Sequence, residues 1–480
     1  MCKGTNIIRV SCVAGVMVTV LLCTISHAQD RPNRNNETVN GYKGIWFTLG
    51  QFSAYGDKYS GGLGTYTAHH SPMAIYAAEV DKTFFVYGGT TGANARHLLC
   101  MIGSFDHKRN TVSKPVVVHD KNGVDDPHDN PSMLLDAQGY IWVFISGRNT
   151  RRMGYKYRSV HPYDISSFEK ITEEEMTYPQ PVFMKGKGYF HFFTKYTGVR
   201  ELYFETSKDG RTWTEDVKVA GIKKPSYSKS GHYQVSNYAD DKIFTFFNWH
   251  PDGNVDKRTN IYFIQTLDFG ETFESIEGKK LSLPLEDITS PAHVMDYASE
   301  KKNIYLCDAN ADSNENPVCL YVTSRGHEPG PENGPREWRV LYWNGLKWVD
   351  HKICESDHNY DMGSLFIDGQ TWRMIGPTGN GPQSHGSGGE IVIWESRDSG
   401  STWKQKVQVT DRSERNHNYV RRVVNGKSPF EYFWADGNPD KFSASYLYMG
   451  DKKGNAWRLP YDMTDLTQRP EKRKSRRDGW

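Results

Sequence analysis

The chain has 480 residues, of which 37% are hydrophobic and 13% aromatic, with Tyr 28, Phe 22 and Trp 13. That aromatic load excludes a disordered chain, and the low apolar share disfavours a helical bundle built on Ala and Leu. The formal net charge is only +2, so the electrostatic footprint of a nucleic-acid binder is absent.

In chain order, the first expected element is a secretory signal peptide over residues 1–28. Lys3 and Arg9 flank the start of an apolar run at residues 10–25, and Ser26-His27-Ala28 is a small-x-small cleavage site. The run is shorter than the roughly 20 residues a membrane span needs, and no later segment is apolar enough to cross. A secreted or periplasmic protein without a membrane span is expected. Cleavage removes Lys3 and Arg9 and leaves basic and acidic residues equal in number. Residues 29–40 read as a linker, and residues 461–480 as a basic tail ending in RPEKRKSRRDGW. Four cysteines follow the signal peptide: Cys100, Cys307, Cys319 and Cys354. They are too few for a disulfide framework, and Cys307 with Cys319, flanking one expected hairpin, is the pair a single bridge would join.

Residues 41–460 carry a repeat. One unit recurs seven times: a His- or Pro-marked entry, a short strand, a Gly/Asp turn and an apolar strand. Examples are HHSPMAIYAAEVDKTFFVYGG from His69, PHDNPSMLLDAQGYIWVFISG from Pro127 and HNYDMGSLFIDGQTWRMIGP from His358. Third strands such as RELYFETS, NIYFIQT and EIVIWES follow, each leading into an acidic turn. TLDFGETF from Thr266 and SRDSGSTW from Ser396 match the Asp-box pattern S/T-x-D-x-G-x-T-W/F, and SKDGRTW from Ser207 matches with one residue deleted. In such a turn the Asp accepts amides, Gly takes the positive-φ corner and the aromatic tucks under the hairpin. The repeat predicts an all-β fold, a seven-bladed β-propeller of four-stranded antiparallel blades. Residues 41–49 (GYKGIWFTL) are expected to add a strand to the last blade and close the ring. Residues 167–176 are the one helical-looking stretch.

Inner strands of a propeller start at one rim of its channel. Those starts hold His69, His70, His128, Gln180, His232, His293, His358 and His417. His232, His358 and His417 are the candidate ligands of a structural divalent metal ion. The bland alternative is that the rim histidines bond backbone groups.

Four segments resemble the exported BNR-repeat propellers found among carbohydrate-active enzymes of polysaccharide-degrading bacteria. They are residues 41–76, KTFFVYGGT from Lys82, GVDDPHDNPSM from Gly123 and FTKYTGVRELYFETSKDGRTW from Phe193. The resemblance spans essentially the whole repeat region and implies action on rhamnose-uronate linkages. Its first implication is a lyase that cleaves ulvan, a sulfated rhamnose/uronic acid polysaccharide, by β-elimination. The alternatives are an exo-α-L-rhamnosidase releasing rhamnose from glucuronate, elimination of water from ulvan oligosaccharides, and glycan binding without catalysis. A sialidase is disfavoured, because no early F/Y-R-I-P motif is present.

β-Elimination removes the C5 proton of a uronate. It needs a cation against the carboxylate, a base for the proton and an acid for the leaving oxygen. His128 in DDPHDNP, Arg148 in ISGRN, and Tyr196 with Arg200 in TKYTGVR bring these residue types from adjacent units. The lyase relatives imply a catalytic His and Tyr there, matched by His128 and Tyr196, with Arg148 and Arg200 binding substrate. They also imply a second His where this chain has Arg148. The rhamnosidase relatives imply one catalytic His in a TYTA-x-H-x-P segment, matched by His70, on the opposite face of the disc. No cofactor is required for catalysis, and the expected partner is an acidic polysaccharide or oligosaccharide bound by a monomer.

Overall fold

The structure, a computed structural model, describes Met1 and residues 33–473. The expected signal peptide and the last residues of the basic tail lie outside the described residues. Strands such as Ile141–Ile145 and Thr259–Thr266 are buried along their whole length, because each sheet is covered by a neighbour on both faces.

Among the described residues, five antiparallel sheets of four or more strands stand alone. One orders Pro131–Leu135, Ile141–Ile145, Gly154–Ser159 and Phe168–Glu174, and the next Thr177–Met184, Gly188–Lys195, Glu201–Ser207 and Val217–Ala220. A third runs from Gln234–Ala239 through Lys242–Trp249 and Thr259–Thr266 to two short outer strands. The fourth begins at Asn303–Ala311 and the fifth at Ser364–Asp368, each with four strands. The remaining large sheet joins two meanders, one beginning at Ala74–Ala77 and one at Asn416–Lys427, through a parallel bridge between Ile75 and Val424. First strands of successive meanders neighbour one another in chain order. Apolar clusters fill the gaps between sheets. In one of them Phe190 and Phe204, stacked at 5.2 Å, share a core with Phe247 and Tyr262 from the next sheet.

The Asp-box turns form as their chemistry dictates. At the third, Gly400 donates its amide to Ser396 Oγ at 2.9 Å, Asp398 accepts the Thr402 amide at 2.9 Å, and Trp403 Nε1 donates to the Gly400 carbonyl at 2.9 Å. Gly400 has φ +84°, and a Cβ there would stand 2.6 Å from the Trp372 ring. Gly400→Ala therefore combines backbone strain with a ring collision. We expect a loss of about 2 kcal/mol or more, read as a lower urea midpoint.

Four sequence expectations change. Residues 167–176 contain the strand Phe168–Glu174, not a helix. Its Glu and Lys residues favour helix only weakly, while pairing with Gly154–Ser159 gives Arg158 a partner in Glu169 and Lys156 one in Glu174. Cys307 and Cys319 are free thiols, as are Cys100 and Cys354. The two sit on paired strands but face different apolar clusters, so their side chains diverge. His293 begins a short edge strand against Thr259–Thr266 instead of an inner strand, and it stacks on Tyr262. Residues 44–48 pair with Ser443–Ser445 and Ser60–Gly62 in a small sheet of their own.

The stretches read as linker and tail both dock. Thr38 bridges Val116, Thr467–Gln468 pairs with Thr111–Ser113, and Glu471–Lys472 pairs with Ala456–Arg458.

Candidate active site

His128 lies in a short 3-10 turn, Pro127–Asp129, immediately before the strand Pro131–Leu135. Asp126 caps that turn by accepting the His128 amide at 3.0 Å. The same carboxylate bonds His128 Nδ1, Arg148 at 2.7 Å and Arg152 at 2.6 Å. Burial pushes the Asp126 carboxyl up, but His128, Arg148 and Arg152 outweigh it and hold the group well below the usual carboxylate range. Asp126 is thus a fixed anion that orients the imidazole through Nδ1, leaving Nε2 toward the Tyr66 hydroxyl at 3.2 Å.

His128, Arg148 and Arg200 line one narrow cleft, together with Tyr59, Tyr66, Tyr178, Tyr233, Arg258 and Tyr360. No lining residue is Asp or Glu. Each side chain sits at a strand start or in the following turn: Arg148 after Ile141–Ile145, Arg200 before Glu201–Ser207, Tyr233 before Gln234–Ala239, Arg258 before Thr259–Thr266.

Arg258 is the unusual member, only 2% exposed. Its guanidinium lies 4.9 Å over the Tyr233 ring, 4.6 Å over Tyr305 and 5.2 Å over Tyr360, and donates to the Tyr360 hydroxyl at 2.5 Å. Among the described residues neither Arg258 nor Arg200 has a carboxylate partner. Buried guanidinium groups without a counter-ion are costly, and an anionic ligand would supply one.

Arg200 donates to the Tyr233 hydroxyl at 2.7 Å. Burial pushes the Tyr233 phenol up, but Arg200, Arg258 and Arg148 prevail and lower it below the ordinary tyrosine value. Tyr178, Tyr66 and Tyr360 go the other way, raised by burial. Tyr196 does not line the cleft. Its ring lies 5.9 Å from each of the Arg148 and Arg200 guanidinium groups, and burial raises its phenol against their attraction.

His70 is fully buried. Its Nδ1 accepts the Thr67 amide at 3.1 Å, and its Nε2 meets the His128 carbonyl at 3.0 Å, so both ring nitrogens are held by backbone. It supports the His128 turn from behind.

The three histidines read as metal ligands stand in separate environments, which corrects that expectation. His232 bonds the Asn248 carbonyl at 2.8 Å and accepts the Ile222 amide at 3.1 Å. His358 accepts the Tyr360 amide at 3.1 Å, and His417 accepts the Trp434 indole at 2.9 Å. Among the described residues, Glu174, Glu205 and Asp216 do approach one another as metal ligands would. The chain brings its own cations there: Lys156 Nζ is 2.7 Å from both Glu174 and Glu205, and Lys195 is 2.6 Å from Asp216. Burial is the largest influence on Glu205 and pushes its carboxyl up to about 7, against Lys156. The folded state therefore holds this proton more tightly than the unfolded chain, and the stabilisation is lost as pH rises from about 4.5 to about 7. Glu205→Gln should remove that slope from the thermal midpoint over this window; an unchanged slope would exclude Glu205 as its source.

Sequence reasoning missed Asp126, Arg152, Tyr178, Tyr233, Arg258 and Tyr360. A signal for two of them was present, since Tyr233 and Tyr360 closely follow the rim histidines His232 and His358.

The comparisons agree with this architecture. An ulvan lyase, PL25, of Pseudoalteromonas sp. (strain PLSV) is 24% identical over 354 residues, covering 66% of this chain and 67% of that protein. An ulvan lyase of Alteromonas sp. (strain LOR) is 23% identical over 357 residues, covering 67% of this chain and 72% of its own length. A solved structure of a PL25 ulvan lyase superposes with a TM-score of 0.67 at 17% identity, over 85% of this chain and 96% of that one. The same fold has been solved bound to -[GlcA(1-4)Rha3S]-, again at a TM-score of 0.67 and 17% identity, over 83% of this chain and 94% of that one. The BNR repeat-containing family profile matches residues 109–356, more than half of the sequence, and the chain belongs to that family.

Proposed function

We propose that the protein is an exported ulvan lyase that cleaves rhamnose-uronate linkages by β-elimination. The observation that carries this reading is a cleft holding Arg148, Arg200 and Arg258 beside His128 and Tyr233, with no carboxylate in its lining. Most glycoside hydrolases run on a pair of carboxylic acids, and the lining of this cleft offers none. Elimination runs instead on cations that stabilise an enolate-like transition state.

In this mechanism Arg200 and Arg258 neutralise the uronate carboxylate, which acidifies the C5 proton. The Tyr233 phenolate, favoured by those arginines, takes that proton and becomes the phenol. His128, as the imidazolium that Asp126 stabilises through Nδ1, delivers the Nε2 proton to the leaving oxygen as the C4–O bond breaks and is left neutral. Of the phenols near the arginines, Tyr233 is assigned the base because it lines the cleft and is lowered, whereas Tyr178, Tyr66 and Tyr360 are raised by burial and Tyr196 packs against Arg148 and Arg200 from outside the cleft. Tyr196 is then a positioning residue, and His70 a structural support of the His128 turn. No cofactor enters these steps.

The same reading takes the meanders as the seven blades of a propeller, supported by the neighbouring first strands and the Ile75–Val424 bridge. It places the mature protein outside the cytoplasm as a monomer, after removal of residues 1–28. The deciding experiment incubates the purified protein with ulvan and follows the ultraviolet absorbance of unsaturated uronate. A flat trace with release of intact rhamnose would move the assignment to a hydrolase.

A further inference from the structure

A second depression, on the last meander, is lined among others by Arg415, His417, Tyr446, Tyr448, Arg458 and Arg473. Arg415 lies just before the first strand of its meander, as His128 does in another, so on the propeller reading above the depression and the cleft share a face. Arg415 pairs with Asp436 at 3.0 Å and Arg458 with Glu471 at 2.5 Å, and both guanidinium groups lie over the Tyr446 ring, at 4.7 and 5.1 Å.

Arg473 is different. The Trp434 indole can only donate, so His417 Nδ1 accepts from it and the imidazole proton sits on Nε2. That Nε2 meets Ser413 Oγ at 2.9 Å, and the Ser413 hydroxyl in turn reaches Glu390 at 2.9 Å. Arg473 Nη1 stands 3.0 Å from the same Nε2, donor against donor. Its guanidinium has no carboxylate partner among the described residues, only the Ser413 hydroxyl at 3.4 Å, and it lies 5.3 Å over the Tyr448 ring. Arg412 and Lys472, also in the lining, have no carboxylate partner among the described residues either. With the His417 Nε2–H already given to Ser413, the Arg473 guanidinium is left short of acceptors beside the unpaired Arg412 and Lys472, and an anionic oxygen would supply what these cations lack.

We infer that this depression is a second, non-catalytic subsite for an anionic group of a polysaccharide, a sulfate ester or a uronate carboxylate. Arg473, Arg412 and Lys472 are the cations that would face it. The inference rests on the polysaccharide reading above. A long chain held in the cleft gains a second point of attachment on the same face, whereas a short oligosaccharide does not.

The test is affinity electrophoresis of wild type, Arg473→Ala and Arg473→Gln in gels containing ulvan or chemically desulfated ulvan, together with rates on long ulvan and on a short ulvan oligosaccharide. Both variants should lose retardation in ulvan and raise KM for long ulvan by about tenfold, with kcat on the short substrate unchanged. Arg473→Gln keeps a donor for Ser413, so its loss of binding at an unchanged thermal midpoint excludes misfolding as the cause. Retardation of wild type by native but not desulfated ulvan identifies the sulfate ester as the ligand group; equal retardation identifies the carboxylate. Variants that match wild type in retardation and in KM overturn the subsite. A wild type that is retarded yet forms no unsaturated product overturns the lyase reading and leaves the subsite standing.

Discussion

Tyr233→Phe is expected to lower kcat on ulvan by about a hundredfold or more while KM barely moves, the scale on which a removed acid–base group acts. The substitution keeps the ring, which stacks on His69 at 4.5 Å and lies under Arg258, and removes only the hydroxyl that accepts from Arg200. A base must be deprotonated to act, and the Tyr233 phenol is lowered from its ordinary value. Wild-type kcat/KM should therefore rise with pH along an alkaline limb, and Tyr233→Phe should lose that limb. His128→Ala should cost a similar factor, and the double variant should be little worse than either single one, because the two act in one proton-transfer sequence. Tyr196→Phe is the internal comparison: as a positioning residue it should leave kcat within about threefold. If Tyr196→Phe carries the large loss and Tyr233→Phe the small one, the base assignment passes to Tyr196.

Arg258→Met is expected to reduce kcat/KM by a hundredfold to a thousandfold, the range seen when one preorganised charge donor is removed from a transition state. Its effect on stability should have the opposite sign. Arg258 is a buried cation without a carboxylate among the described residues, so an apolar side chain of similar length relieves a desolvation penalty. Against this stands the loss of its bonds to Tyr360 and to the Val255 carbonyl. The thermal midpoint should therefore stay at or above that of wild type while activity collapses. Glucuronate-containing oligosaccharide should raise the wild-type midpoint and leave that of Arg258→Met unmoved. A variant that melts far below wild type would assign Arg258 a structural role instead.

The Asp-box turns were readable because their physics is local: within a few residues Ser396, Asp398, Gly400 and Trp403 satisfy one another. The repeat of strand, turn and strand was readable for the same reason. Residues 167–176 misled because what decides their state is the edge of a distant strand, Gly154–Ser159, which local composition does not report. At the rim, the pattern of histidines was visible but its meaning was not. Successive residues of an extended chain point to opposite sides, and at His232-Tyr233 the imidazole turns into the protein to bond Asn248 while the phenol enters the cleft. Arg258 carried no motif at all; only the packing of Tyr233, Tyr305 and Tyr360 around it gives it a role.

The docking of residues 467–473 has a consequence for the order of events during synthesis. The first meander cannot complete its pairing when it leaves the ribosome, since Ile75 waits for Val424, and Thr111–Ser113 for Thr467–Gln468. These contacts span most of the sequence, and such long loops close slowly. Until they close, the strand edge at Ala74–Ala77 stands unpaired and open to other chains. The newborn protein is therefore most vulnerable to aggregation at its N-terminal meander, although the flaw is repaired by strands made late, Asn416–Lys427 and Thr467–Gln468.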